Sequence, residues 1–412
     1  MPHKVILALL AIGSFAVGTD GFVISGILPR IAGELDVSEP VAGQLVTAFA
    51  LSYAISAPVL MTLTAGLSRR VMLRGSMLAF LLANVLGAVA PTYGVLMAAR
   101  ILAGISAALY MNTAAATATA LAGERYRGRA VSLIIGGLTV ATALGVPGGT
   151  LVGQLGSWRL TLALVVVLAV PVFIGLFLVL PAVPQPPVIS MRDRLRIGAQ
   201  RPVLLSVLAN LFAVAGCFTV FTYLAAFTRA TTGMDDARVS IVLLVFGVAG
   251  AFGNAVGGRL SDRIGAERTF TGAVSGVVVA MVLLAVLASW FASGSTVVGL
   301  VFLAVTVAWG TVYWAEPPTA IHRVLDLAPT APSVAISVNS SASYLGVALG
   351  GAVGGAVLDR LSPAALAWAG ACLELIALAL VVLPRMSAAR KGRAVRAGGV
   401  PVGAPAEPAR EV

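Results

Sequence analysis

Asp20, Arg100, Glu316 and Glu374 each fall within, or at the edge of, a long apolar stretch, where ionisable side chains are costly. A carboxylate in hydrocarbon faces a polar cavity or a partner, and one that takes up a proton changes its charge without leaving the membrane. Asp20, in Gly18-Thr19-Asp20-Gly21-Phe22, suits two roles. It is a proton carrier, or a structural carboxylate bonded to hydroxyls and backbone. Arg100 stays charged and needs an acceptor, for which Asp20, backbone carbonyls or an anionic substrate group would each serve. Counted at ~1.5 Å per residue along antiparallel helices, Asp20 and Arg100 reach nearly the same depth. A contact between them that breaks on protonation would supply a two-state element. Glu316, ahead of Pro317-Pro318, is expected at the interface. Glu374 lies about halfway along its stretch, as a coupling group or as a neutral acid bonded to a neighbouring helix. His3, His322, Cys217 and Cys372 are too few and too scattered for a metal site or a disulfide framework.

The elements that position these residues follow from composition. Mean hydropathy is +1.00 and only 10% of residues are charged, against roughly 25% in a soluble globule. A hydrocarbon core ~30 Å thick takes about 20 helical residues to cross. The apolar runs predict twelve transmembrane helices, the first from Val5 to about Leu28 and the last over 363–384. The first run is too long for a signal peptide and is expected to remain as a helix.

With the N-terminus cytoplasmic, 21 of the 27 Lys and Arg fall on that side. Arg30, Arg159, Arg229, Arg238 and Arg360 fall on the other, and Arg100 lies inside. Basic residues resist translocation, so this excess places both termini in the cytoplasm. The net charge of +11 therefore reports topology and contact with anionic lipid rather than a nucleic-acid partner. Arginine strongly outnumbers lysine, and Ala, Gly and Val abound, as in a high-GC bacterial genome. The expected location is the bacterial cytoplasmic membrane.

The chain divides into an N-terminal six-helix bundle (1–181), a cytoplasmic linker (182–202), a C-terminal six-helix bundle (203–384) and a disordered basic tail (385–412). Leu67-Ser68-Arg69-Arg70 after the second span is echoed by Leu260-Ser261-Asp262-Arg263 after the eighth. Such repeats are the mark of duplicated transporter halves. In the fifth span Gly137, Ala141, Gly145, Gly149 and Gly153 form a stripe of small residues that lets helices approach closely. Pro147 adds a kink. The eleventh span repeats the stripe with Gly346, Gly350 and Gly354. Phe22, Tyr110, Asn112, Asn210, Phe218, Tyr223, Trp309 and Tyr313 in spans one, four, seven and ten would line a cavity for an amphipathic ligand, or serve as ordinary packing.

These motifs resemble the major facilitator superfamily, in its twelve-helix drug:proton antiporter branch. Gly258-Arg259-Leu260-Ser261-Asp262-Arg263-Ile264-Gly265 is similar to the signature loop of a half, and Arg100-Ile101-Leu102-Ala103-Gly104 to the fourth-helix R-x-x-x-G motif. Gly145-Val146-Pro147-Gly148-Gly149 with Trp158-Arg159 resembles the fifth-helix motif of exporters. Gly18 to Val23 with Leu28-Pro29 resembles the first helix of chloramphenicol-resistance and arabinose-efflux-like permeases. The resemblance implies an all-α membrane fold of two pseudo-symmetric bundles. It also implies export of a small, fairly apolar compound against protons, with Asp20 and Arg100 in proton coupling. Gly145, Pro147, Gly149, Asp262 and Arg263 would act in gating and helix packing. The first-half loop, Gly66-Leu67-Ser68-Arg69-Arg70, departs from the pattern: it lacks the acid that helps lock the cytoplasmic side in the family.

The expected protein is a monomeric transporter without a cofactor, driven by the proton gradient, that expels a drug or metabolite by alternating access. A chloramphenicol-type antibiotic fits. Transport of a sugar, nucleoside or amino acid is the alternative; its site would want many amides and indoles, in which these spans are poor. A membrane enzyme would need a concentrated His- or acid-rich site, and a channel a pore loop.

Overall fold

A computed structural model of the chain describes residues 2–64, 66–123, 127–181, 191–291, 293–329 and 331–397. The first four spans are single helices: α1 (Pro2–Glu34), α2 (Glu39–Leu63), α3 (Arg69–Ala88) and α4 (Tyr93–Ala122). The fifth is α5 (Arg127–Val140), a π-helical turn (Ala141–Gly145) and α6 (Val146–Gln154); the sixth is α7 (Arg159–Val179). A short helix α8 (Met191–Gly198) precedes α9 (Arg201–Phe221) and its continuation α10 (Leu224–Thr232). Then come α11 (Asp236–Ile264), α12 (Ala266–Trp290), and a tenth span broken into α13 (Thr296–Trp314) and α14 (Glu316–Leu327). Helices α15 (Pro332–Arg360) and α16 (Pro363–Ala397) complete the chain. Twelve helical segments are long and apolar enough to cross a bilayer.

Local chemistry sets the helix starts. Ser38, Ser68, Thr92 and Asp235 cap α2, α3, α4 and α11, each side chain accepting from the backbone N–H three residues on. The π-helical turn lies just ahead of Pro147. Proline has no N–H and its ring clashes with the carbonyl four residues back, here that of Ala143, so the ladder widens over that turn.

Burial is that of a protein whose outer solvent is lipid. Val167, Leu178, Val279 and Leu300 face outward at 58–79% exposure. Thr19, Asp20, Arg100, Thr142, Thr150, Glu316 and Glu374 lie inside. One sequence expectation needs correction. Helix α16 runs on past Pro384 to Ala397, where a disordered tail was expected from 385; Ala, Arg and Lys are strong helix formers. Residues 398–412 of that tail, and 182–190 of the linker, lie outside the described residues; the rest of the linker holds α8.

The two glycine stripes do the same thing in the two halves. A β-carbon on Gly137 would run into the Ala11 carbonyl, and Gly145 lies against Thr19, so α5 and its π-turn press onto α1. In the second half, β-carbons on Gly346 and Gly354 would come within 2.5 and 2.6 Å of the Leu211 and Thr219 carbonyls, so α15 presses onto α9. Ala11 corresponds to Leu211 and Thr19 to Thr219 at one constant sequence offset. The fourth span obeys the same repeat: Gly104 abuts the Phe49 carbonyl of α2, and Gly310 of α13 abuts the Phe246 carbonyl of α11.

The halves meet at the end of the bundle remote from the termini. There Gly351 and Gly355 of α15 lie against Thr47 and Gln44 of α2, and the Tyr223 ring fills the space over Gly43. Arg229 of α10 pairs with Glu39 of α2 at 2.7 Å. Nearer mid-depth Tyr53 stacks on Tyr344 with ring centroids 3.5 Å apart. The π-turn is part of this seam, because Gly247 of α11 sits directly on Thr142 and Ala143.

Adjacent glycines test the close approach. Gly137→Ala should lower the thermal unfolding temperature of the detergent-purified protein by several degrees, an overpacking cost of about 1–3 kcal/mol. Gly136→Ala, whose β-carbon would meet nothing within 4 Å, should be neutral or stabilising, since alanine is the better helix former.

Candidate functional site

Asp20 and Arg100 touch. Arg100 donates from Nη1 to Asp20 Oδ1 at 2.6 Å and from Nη2 to the Asp20 backbone carbonyl at 3.2 Å. Their side chains are 0% and 2% exposed, so the pair is sealed from solvent. The guanidinium also lies over the Phe49 ring, 4.4 Å from its centroid, a cation–π contact strengthened by desolvation. The second carboxylate oxygen, Oδ2, has no hydrogen-bond partner among the described residues.

The R-x-x-x-G spacing has a local reason. Arg100 and Gly104 lie one turn apart on the face of α4 that meets α2. Gly104 brings α4 onto the Phe49 carbonyl, which sets the Phe49 ring beneath the guanidinium one turn earlier. On the other side of α1, Thr19 packs against Gly145 at the end of the π-turn. Asn84 of α3 completes the surroundings, its amide within reach of the Asp20 carboxylate and donating to the Phe80 carbonyl at 3.0 Å. Asn84 and Phe49 escaped the sequence reading, although an asparagine in an apolar helix was a visible signal. The repeat shows that the ion pair has no twin. The offsets that match the two halves place Val220 opposite Asp20 and Thr306 opposite Arg100, and Thr306 bonds its own helix at Phe302.

The eight proposed cavity residues divide into two groups. Phe22, Phe218, Trp309 and Tyr313 come together with Phe221, Phe246 and Trp314 as one aromatic cluster spanning both halves. Phe22 meets Phe218 at 5.6 Å, Phe218 meets Tyr313 at 6.4 Å, and Phe246 meets Trp309 at 4.6 Å between centroids. The other four hold helices. Tyr110 donates to the Leu10 carbonyl at 3.1 Å, Asn112 to Ala108 at 2.8 Å, and Tyr223 to Gly351 at 2.9 Å. Asn210 ties α9 to Ser343 of α15 at 2.8 Å.

The proposed gating residues are placed as follows. Gly145 and Gly149 face α1, the latter against Val23, and Pro147 follows the π-turn. Asp262 and Arg263 are exposed at the end of α11. Beside them Ser261 shares a 2.9 Å hydrogen bond with His322 of α14, and Arg323 approaches Glu267 of α12 at 3.5 Å. In the N-half, where the loop acid is missing, basic residues bind backbone carbonyls: Arg69 donates to Ala116, Arg70 to Leu180, and Arg74 to Leu176 and Phe177. The contacts at Leu176, Phe177 and Leu180 satisfy carbonyls that the end of α7 leaves open. At the remote end, Arg159 joins Glu34 of α1 to the Ala90 carbonyl. Glu316, at the start of α14, is 1% exposed.

Removing one member of a buried pair leaves an uncompensated charge, which costs about 3–5 kcal/mol. Arg100→Met should therefore destabilise the purified protein strongly. The double variant Asp20→Leu/Arg100→Met should recover most of the lost thermal stability.

Comparison with known proteins agrees with this architecture. The family model described as Major Facilitator Superfamily matches residues 10–334. A chloramphenicol resistance protein of Streptomyces lividans is 35% identical, covering 92% of this chain and 95% of that protein. The uncharacterised MFS-type transporter YbcL of Bacillus subtilis is 31% identical over 90% of this chain and 93% of its own length. A probable sugar efflux transporter of Mannheimia succiniciproducens is 27% identical, with 91% and 92% covered. The last two of these relatives are named as transporters. With its twelve apolar spans and internally repeated helix packing, the chain is a multi-pass membrane transporter that belongs to the Major Facilitator Superfamily.

Proposed function

We propose that this transporter is a proton-driven exporter of small amphipathic compounds, with Asp20 as the group that takes up and releases the proton. The observation that carries this reading is the sealed Asp20–Arg100 pair with one carboxylate oxygen unoccupied. Protonation of Asp20 cancels the charge that holds Arg100. Thr19, the next residue, bears on Gly145 at the end of the π-turn, and the same turn carries Gly247 of the opposite half. A loosened α1–α4 contact therefore bears directly on the seam between the halves. That seam is the bistable element alternating access requires.

The excess of basic residues at the termini end supports a cytoplasmic side for that end, with the protein in a bacterial cytoplasmic membrane. The end where the halves meet then faces outward, which describes a carrier closed to the outside. The aromatic cluster offers stacking surfaces and few amides, which favours a drug-like compound over a sugar. The similarity to the chloramphenicol resistance protein makes chloramphenicol the first compound to test. The reading needs only the proton gradient, a single copy of the chain and no cofactor.

Expression in a pump-deficient bacterial host, challenged with a compound panel that includes chloramphenicol, tests the reading. Resistance should be selective and should vanish with an uncoupler. Asp20→Asn should reduce efflux to the vector-only level while the protein stays in the membrane, and Arg100→Ala should do the same. Efflux that survives Asp20→Asn, or that ignores the uncoupler, would overturn proton coupling at this residue.

A further inference from the structure

The corner between α1 and α2, at the end where the halves meet, carries two ion pairs of different kinds. Glu34 closes α1 and pairs with Arg159 of α7, whose guanidinium also donates to the Ala90 carbonyl at 2.8 Å. All of these groups belong to the N-half. Glu39 opens α2 and pairs with Arg229, in the last turn of α10, at 2.7 Å. That pair crosses between the halves. Each partner is fixed to its own side. The start of α2 is tied to α4 by Tyr93, which donates to the Val41 carbonyl at 2.7 Å. The end of α10 is tied to the loop between α12 and α13, where the Gly294 N–H donates to the Thr232 carbonyl at 3.0 Å. The distance from Glu39 to Arg229 therefore follows the separation of the halves themselves.

The strength and place of this pair suit a contact that opens and closes. Its side chains are 28% and 32% exposed, and a pair so hydrated shifts an equilibrium by about fivefold at most. An acid in the first turn of a helix and a base in the last turn each meet the favourable end of their own helix dipole. Neither charge is stranded when the pair parts. Beneath it lies a seal. One turn into α2, Gly43 lies under the ring of Tyr223, the residue at the break between α9 and α10, whose hydroxyl donates to the Gly351 carbonyl at 2.9 Å. A further turn in, about 12 Å along the helix from Glu39, the hydroxyls of Thr47 and Thr222 stand around Gly351. They lie 2.7 and 3.8 Å from where its β-carbon would be. Both lack a hydrogen-bond partner among the described residues, and parted halves would give them water.

We propose that the Glu39–Arg229 pair is a latch between the halves, holding the Tyr223 seal shut on the outer face until the halves separate. The proposal rests on the reading that this end of the bundle faces outward. It needs neither proton coupling at Asp20 nor any exported compound.

Thr47→Cys, in a Cys217→Ala/Cys372→Ala background, tests this through its labelling in intact cells by a membrane-impermeant maleimide. Labelling should be slow while the pair is intact. Glu39→Gln or Arg229→Gln should speed it about two- to fivefold. The double Gln variant should be no faster than either single one, because both remove the same interaction. Arg229→Lys keeps the charge and should stay near the starting rate. Glu34→Gln breaks the pair inside the N-half and should leave the rate unchanged. Rates that neither Glu39→Gln nor Arg229→Gln alters, or that Glu34→Gln raises as much, overturn the latch. A double variant whose effects multiply does so too, since the two groups then act separately. Either Gln variant suffices should the other be lost from the membrane. Labelling confined to inside-out vesicles would put this end in the cytoplasm and overturn the outer latch by its orientation, whereas unchanged rates in cells overturn it with the orientation intact.

Discussion

A guanidinium cannot lose its charge, and in hydrocarbon it cannot be left without an acceptor. Around Arg100 that constraint organises four helices. Asp20 of α1 supplies the acceptor and Phe49 of α2 the ring beneath. Gly104 of α4 permits the approach that makes both possible, and Asn84 of α3 closes the remaining side. Each contact depends on the others, because a displaced α2 would take the ring away and a displaced α1 would strand the charge. The pair is the point on which packing in the N-half converges.

The duplication makes this asymmetry legible. The two halves share their glycine contacts almost position for position, α5 on α1 matching α15 on α9. Shared backbone packing is the part of the design that both halves must keep, since without a hydrophobic drive in lipid the helices associate by close contact. Charge is not shared. Val220 and Thr306 stand where Asp20 and Arg100 would be, and the C-half instead buries Glu316 and Glu374 on other helices. Two similar scaffolds thus carry different ionisable chemistry.

The seam itself is made of small residues and one backbone irregularity. Gly351, Gly355 and Gly43 give smooth contact between α2, α15 and the Tyr223 ring, and the π-turn ahead of Pro147 pushes its carbonyl against Gly247. The irregular turn therefore lies between the ion pair and the opposite half, with Thr19 touching one side of it and α11 the other.

Much of this was written in residue types alone. Span count, halves, the expected side of the termini and the isolation of Asp20 and Arg100 follow from hydropathy and charge, because the bilayer penalises every exposed polar group and so forces those patterns into the chain. The stripe at Gly137, Gly145 and Gly153 likewise announced close packing. What faces what was beyond reach. Tyr110, Asn112, Asn210 and Tyr223 looked like cavity residues yet bind backbone carbonyls or a neighbouring hydroxyl, since a polar group in a helix advertises its chemistry but not its direction. Glu316 and Glu374 were visible as acids in apolar stretches, but that both are sealed among helices was not. Only the tertiary packing decides which polar side chains are enclosed, because the energy of a buried charge depends on its neighbours in space.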